Sequence, residues 1–192
     1  MTIVFDFDKT LTDRDTLFGF YKLTNKPGFS YFIKRVLLLI AAICFKFKII
    51  SNNRLKKIGV SLFLKGKDKS FIDEKGRLYA SSINLNKIYY NDYLQYSIRD
   101  RMVISASLIE YLKHKFPNEK IFASSLKYSE SKKVIGLEEN LYAEQKRKFI
   151  EQKGIERIDI LYTDSYSDKA LMEISNKIFL INKGIKIIIK NG

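Results

Sequence analysis

Thr2-Ile3-Val4-Phe5-Asp6-Phe7-Asp8-Lys9-Thr10 is a short β-prone run that ends in an acid and gives way to a polar loop reaching Asp15. In an open parallel sheet, ligands bind outside the carboxyl ends of the strands. Two carboxylates two residues apart, just beyond a strand, can converge on one site as the chain leaves the sheet. One is then placed to attack as a nucleophile while the other shuttles a proton. Asp and Thr also suit ordinary turns, so the meaning of the segment depends on what the rest of the chain builds around it.

The second half of the chain supplies that setting. Residues 102–106, 120–124, 158–162, 177–181 and 185–189 read as strands. Between them, residues 108–116 (before Pro117), 144–152 (closed by Gly154) and 169–175 read as helices. Strand–helix alternation predicts an α/β fold, a Rossmann-like, doubly wound parallel sheet. Strands that are apolar along their whole length fit a sheet covered on both faces.

Between the first strand and this alternation the text changes character. A short helix is expected around Leu17, Phe18, Phe20, Tyr21 and Leu23, stopped near Asn25-Lys26-Pro27-Gly28. Residues 29–50 are the most apolar stretch, and 52–64 carry an apolar face at Leu55, Ile58 and Leu62 with lysines opposite. Residues 69–94 continue in helical style. The expected organisation is a catalytic core of residues 1–14 and 97–192, interrupted by an all-helical cap of residues 15–96.

Composition narrows the chemistry. With 46% hydrophobic residues in 192, the chain can bury a core, which sets disorder aside. One Cys (Cys44) forms no internal disulfide, and one His (His114) excludes a multi-imidazole site. Met1 leads directly into a short apolar run and then acids, so no secretory signal is read and a cytoplasmic protein is expected. The net charge of +14 would suit nucleic acid, a membrane surface or an anionic substrate. Only eight of the 35 basic residues are Arg, and they are scattered without a reading module, so nucleic acid is not the expected partner.

Three further pieces complete a site. Thr163-Asp164-Ser165-Tyr166-Ser167-Asp168 follows a strand and lies on the same sheet edge as Asp6. Carboxylates among small residues there make a hard oxygen site suited to Mg²⁺, although Asp168 also reads as a helix N-cap. Ser105 offers a hydroxyl beside backbone N–H groups entering a helix, a cradle for phosphate oxygens. Lys146, early in the next helix, can neutralise phosphate and carboxylate charge, although with Arg147, Lys148 and Lys153 near it also reads as an ordinary surface lysine.

Asp6-Phe-Asp-Lys-Thr10, Ser105, Lys146 and Asp164-Ser-Tyr-Ser-Asp168 resemble, in order, the four motifs of the haloacid dehalogenase superfamily of phosphohydrolases. Ser105-Ala-Ser-Leu-Ile-Glu-Tyr-Leu and Tyr162-Thr-Asp-Ser-Tyr-Ser-Asp look like its phosphoserine-phosphatase-like branch, which inserts a helical cap between the first two motifs. The resemblance implies Asp6 as nucleophile, forming an aspartyl-phosphate, and Asp8 as general acid and then base. It implies Mg²⁺ held by Asp6, the Asp8 backbone carbonyl and Asp164, with Asp168 in support. Thr10, Ser105 and Lys146 would hold the phosphoryl oxygens of a phosphate monoester. Two positions depart from the family's usual glycines, Ala143 and Thr163.

The uninterrupted apolar run 36–45 lies between Lys34-Arg35 and Lys46-Phe47-Lys48. It is short of the roughly 20 residues a spanning helix needs. A helix buried inside the cap and a helix lying at a membrane surface are the main readings, with a true span as the third. The pattern loosely resembles a phosphatidylglycerophosphatase C type, which implies a lipid phosphate as the alternative substrate and peripheral membrane contact through the cap.

Overall fold

The computed structural model describes residues 1–182 and 185–191. The sequence-derived core limit at residue 192 therefore lies outside the described residues. Strand β1 (Ile3–Phe5) is only three residues long and wholly buried. Its side chains alternate, with Ile3 and Phe5 in one apolar cluster and Val4 in another. The two clusters mark the two faces of the sheet, as a period of two requires.

Strands β2 (Arg101–Leu108), β3 (Ile121–Tyr128), β4 (Val134–Glu139), β5 (Ile158–Thr163), β6 (Ser175–Asn182) and β7 (Ile185–Asn191) complete the sheet among the described residues. Their order is β4-β3-β2-β1-β5-β6-β7. The five inner strands run parallel, as the alternation predicts, whereas β4 and β7 pair antiparallel with their neighbours. Both exceptions have a plain cause. Few residues separate β3 from β4 and β6 from β7, and a parallel crossover needs a dozen or more. Strand β4 was not expected from the sequence, because Gly136 and the charged Glu138 and Glu139 dilute its apolar pattern.

Helices α1 (Leu17–Leu23), α2 (Phe29–Lys46), α3 (Asn52–Phe63), α4 (Lys69–Ser82) and α5 (Lys87–Leu94) lie between β1 and β2. The expected single helical stretch 69–94 is thus broken in two. Leu85 bridges back to Thr12, and the Asn86 side chain caps α5 by accepting from Ile88 N–H. Helix α6 (Ile109–Lys115) follows β2, α7 (Glu144–Gln152) precedes β5, and α8 (Lys169–Glu173) precedes β6. Ile150 of α7 and Leu171 and Met172 of α8 pack on the Val4 face. Tyr93 of α5 and Tyr111 and Leu112 of α6 pack on the Phe5 face.

The helical block is fastened to the sheet at several points. Tyr93 meets the Phe5 ring edge-on at 5.0 Å, and its hydroxyl donates to Glu119, which also takes the buried Arg101 guanidinium. Helix α4 packs on α6 so closely that a Cβ on Gly76 would stand 2.2 Å from the Glu110 carbonyl oxygen. Along this seam Asp73 accepts from Lys113 and pairs with His114, so the lone histidine serves helix packing.

Helix α3 differs from its sequence reading. Its buried stripe is Lys56, Gly59, Val60 and Phe63, about one position round from the expected Leu55, Ile58 and Leu62 face. Gly59 sets this rotation, because a Cβ there would meet the Tyr21 hydroxyl at 2.9 Å. The consequence is a lysine on the inward face.

Helix α2 buries only Leu38 and Ala41. Leu37, Leu39, Ile40 and Ile43 are exposed, as are Phe29 (79%) and Phe47 (71%) near its two ends. Of Leu37, Leu38, Ile40 and Phe45, which the buried reading needs as core, only Leu38 is fully so. Among the described residues, no helix is long and apolar enough to cross a membrane.

Candidate active site

β1 pairs with β2 and β5 so that Phe5 stands opposite Val103 and Tyr162. The residues just beyond, Asp6, Ser105 and Asp164, are therefore brought to one edge of the sheet at similar height. Asp6 N–H is fixed by the Tyr162 carbonyl at 2.8 Å.

Lys146 is the centre of the first group. Its Nζ donates to Asp6 Oδ1 at 2.7 Å and to Asp168 Oδ2 at 2.9 Å, and all three side chains are nearly inaccessible. Burial pulls the Lys146 pKa down, but the Asp168 and Asp6 carboxylates more than offset this and hold it raised, so the ammonium stays charged. Burial pushes Asp6 upward, Lys146 pulls it down, and the charges of Asp168 and Asp164 push it up again. Thr163, fully buried, donates its hydroxyl to Asp168 Oδ2 at 2.8 Å. The second donor to Asp168 Oδ2 thus comes from a side chain that a glycine at 163 would lack.

Asp8 belongs to a second group. Its Oδ1 accepts from Thr16 N–H at 2.8 Å and from Thr16 Oγ1 at 2.6 Å. Its Oδ2 accepts a short bond from the Ser107 hydroxyl. Tyr111 OH lies 2.8 Å from Thr16 Oγ1 and extends the network. Burial, with the charge of Asp15 behind it, lifts the Asp8 pKa to about 6 despite these bonds. A carboxyl so placed exchanges its proton near neutrality, which is what an acid–base group needs.

Ser105 is placed differently from its sequence reading. β2 runs on to Leu108, and its register against β3 shifts between Ser105 and Leu108. Ser105 therefore sits at an irregularity inside the strand rather than at a helix entrance. Its Oγ accepts from Ser107 N–H at 2.9 Å, closing a tight turn at 105–107. Thr10 is fully buried, and its Oγ1 has no hydrogen-bond partner among the described residues.

Asp164 stands apart from both groups. No side chain bonds or pairs with its carboxylate among the described residues, and burial raises its pKa, against a pull from Lys9. Among the described residues no three His, Cys, Asp or Glu side chains form a ready-made metal cage. The Asp8 carboxylate is committed through both oxygens to Thr16 and Ser107, whereas Asp168 is engaged through Oδ2 alone, by Lys146 and Thr163. What remains is two oxygen-donor carboxylates, Asp6 and Asp164, close enough for Asp164 to raise Asp6, with the other oxygen of Asp168 beside them. That set fits Mg²⁺, which binds through one or two carboxylates, keeps several waters and takes further oxygens from a phosphate.

A cavity of about 200 Å³ opens over Asp8, between the helical block and the sheet. Asp15, Lys56, Ser107 and Tyr142 supply its polar wall, and Phe18, Tyr21, Leu38 and Leu55 its apolar one. Lys56 Nζ donates to the Ala106 carbonyl oxygen, to Asn140 Oδ1 at 2.7 Å and to Ser124 Oγ at 3.2 Å. Burial pushes its pKa down to about 7, against the field of Asp8. Thr16, Ser107, Thr163 and Lys56 were missed from sequence. Lys56 reads in the sequence as one of the lysines opposite the Leu55, Ile58 and Leu62 face, so no pattern singled it out.

The family model for haloacid dehalogenase-like hydrolases matches residues 3–173. Among solved structures, the fold is similar to a protein of unknown function from Bordetella pertussis Tohama I, with TM-score 0.69, 14% identity, and 90% of this chain and 85% of that chain covered. It is similar to a phosphoserine phosphohydrolase-like protein from Francisella tularensis (TM-score 0.63, 19% identity, 92% and 85% covered). It is also similar to a phosphoserine phosphatase solved as a phospho-aspartyl intermediate analogue (TM-score 0.63, 17% identity, 92% and 84% covered). At these identities the likeness is one of fold. No curated protein sequence matches the chain.

Proposed function

The chain belongs to the haloacid dehalogenase-like hydrolases, and from that premise we propose that it is a Mg²⁺-dependent phosphatase that hydrolyses a phosphate monoester through an aspartyl-phosphate on Asp6. The observation that carries the reading is the buried triad of Asp6, Lys146 and Asp168 beside the separately held Asp8. Lys146, anchored by Asp168, orients Asp6 and pulls against the burial that raises its pKa to about 7, while leaving its second oxygen to attack phosphorus. The P–O bond to the leaving group breaks as the Asp6–P bond forms, and Asp8 gives its proton to the departing oxygen. Asp8, now a base, then takes a proton from the water that attacks the phospho-enzyme and frees inorganic phosphate. Thr10, Ser105 and Lys146 hold the phosphoryl oxygens. Asp6, Asp164 and the Asp8 carbonyl would hold Mg²⁺, with Asp168 in support; when bound, the ion supplies charge that offsets repulsion between carboxylate and phosphate. Helices α1–α5, as a cap, cover the site and exclude bulk water.

The test is phosphate release from an aryl phosphate. Asp6→Asn abolishes it, EDTA abolishes it in the wild type, and added Mg²⁺ restores it. Wild-type turnover in Asp6→Asn contradicts the mechanism.

A second reading, a lipid phosphate met at the inner face of a membrane by a cytoplasmic protein, is favoured by the surface around α2. Residues 16–67 contain eleven Lys and Arg and no acid, and α2 displays its apolar side chains in their midst. A groove of about 630 Å³ between α1 and α2 shares Phe18, Tyr21 and Leu38 with the cavity over Asp8. An acyl chain there would leave its phosphate near Asp8. The wild type then sediments with anionic vesicles at low salt and is released as salt rises, since each cation near the surface contributes about 1 kcal/mol. Leu39→Glu, on the exposed face, folds and loses that binding. A wild type that stays in the supernatant at low salt overturns this second reading.

A further inference from the structure

Lys56 occupies a position where a helix normally places a hydrophobe. It is 8% exposed, on the stripe with Gly59, Val60 and Phe63. Among the described residues its ammonium meets no carboxylate in an ion pair, only three neutral acceptors. Burying an amine that must stand as an unpaired cation or give up its proton is costly, and an apolar side chain of similar volume is often the more stable choice. Fold stability therefore does not account for the lysine.

Its three partners do. Ala106 is the middle residue of the 105–107 turn, between Ser105 and Ser107, and its carbonyl oxygen takes both Lys56 Nζ and the Ser124 hydroxyl. Ser124 and Asn140 fix the ammonium from the strand side. With the Ala106 carbonyl drawn toward α3, the following peptide N–H, that of Ser107, closes on Ser105 Oγ, and the Ser107 hydroxyl reaches Asp8. One side chain from the helical insertion thus sets the conformation of the turn that carries two of the site's hydroxyls.

We propose that Lys56 is a positioning residue, through which the seating of α3 against the sheet sets the phosphate-side turn at 105–107 and the orientation of Asp8. The proposal rests on the phosphatase reading for its kinetic consequence, but its structural consequence stands alone. Lys56 acts through Ala106, so insertion and turn move together: when α3 lifts, the Ala106 carbonyl keeps only the Ser124 hydroxyl, and the site is complete only with the helices seated.

Lys56→Met keeps the bulk and removes the donors, and Lys56→Arg keeps charge and donors. The expected result for Lys56→Met is a roughly 10- to 100-fold fall in kcat/KM for an aryl phosphate, the scale of a small misplacement of reacting groups. Inhibition by inorganic phosphate weakens, the thermal midpoint is unchanged or higher, and Lys56→Arg recovers part of the activity. Amide exchange quickens across 105–108 and not along α6. Wild-type kcat/KM with wild-type exchange in Lys56→Met overturns the proposal, and so does a loss of activity that tracks a fallen midpoint with exchange faster throughout α3. A wild type that releases no phosphate contradicts the phosphatase reading instead, and the exchange comparison still decides the role of Lys56.

Discussion

Ala143 caps α7 with φ 52° and ψ −122°, a conformation that glycine adopts freely and an L-side chain resists. This is one of the two positions where the sequence departs from its family's usual glycine, so the departure is now seen as backbone strain three residues before Lys146. Ala143→Gly is expected to raise stability by about 1 kcal/mol, read as a higher urea midpoint with unchanged slope, while leaving the Lys146 contacts in place. An unchanged or lower midpoint would show that the strain is relieved elsewhere. Thr163, the other departure, is compensated, since its hydroxyl holds Asp168. Neither effect is legible in the sequence, because φ and a buried hydroxyl's partner are set by the folded chain around them.

At the scale of elements, α4 and α6 meet where Glu110 is buried. Its Oε1 accepts from Leu126 N–H at 2.9 Å, and its Oε2 has no partner among the described residues. Burial raises its pKa above the ordinary 4.5. A carboxyl raised on folding favours the native state most when protonated. Its contribution is full below about 4.5 and is lost as pH climbs through the raised value. Glu110→Gln keeps an acceptor for Leu126 and cannot ionise, so its stability relative to wild type grows as pH rises above about 4.5. Denaturant midpoints at several pH values check this, and a constant difference contradicts it. Element type was legible where periodicity was strong, as in α2, α7 and the inner strands. The orientation of α3 was not, because Lys56 counts as polar in any pattern while Gly59 decides which face can approach Tyr21. Strand β4 was hidden for a related reason: on a sheet edge only Val134 and Leu137 are buried, too few to make a period.

For the whole molecule, the positions of the candidate residues relative to the strands were legible: Asp6 and Asp8 beyond one strand, Asp164 and Asp168 beyond another, and Lys146 on the helix between. The residues that aim them were not, since Thr16, Ser107 and Lys56 reach Asp8 and its turn from three elements that only the tertiary fold unites. The charge of the chain also gains meaning from the fold. Its acid-free segment, residues 16–67, is the first part of the helical block and includes the exposed α2, so the net charge of +14 is unevenly laid out rather than a uniform coat. The central claim, that Asp6 carries the phosphoryl group, is tested most directly by acid-quenching the Asp8→Asn protein during turnover of an aryl phosphate with Mg²⁺ and mapping the label by peptide mass. The account predicts one phosphoryl group, labile to hydroxylamine, on the peptide containing Asp6, and none when Asp6→Asn is added. A phosphoryl group on any other residue, or unimpaired phosphate release from a protein lacking the Asp6 carboxylate, would contradict it.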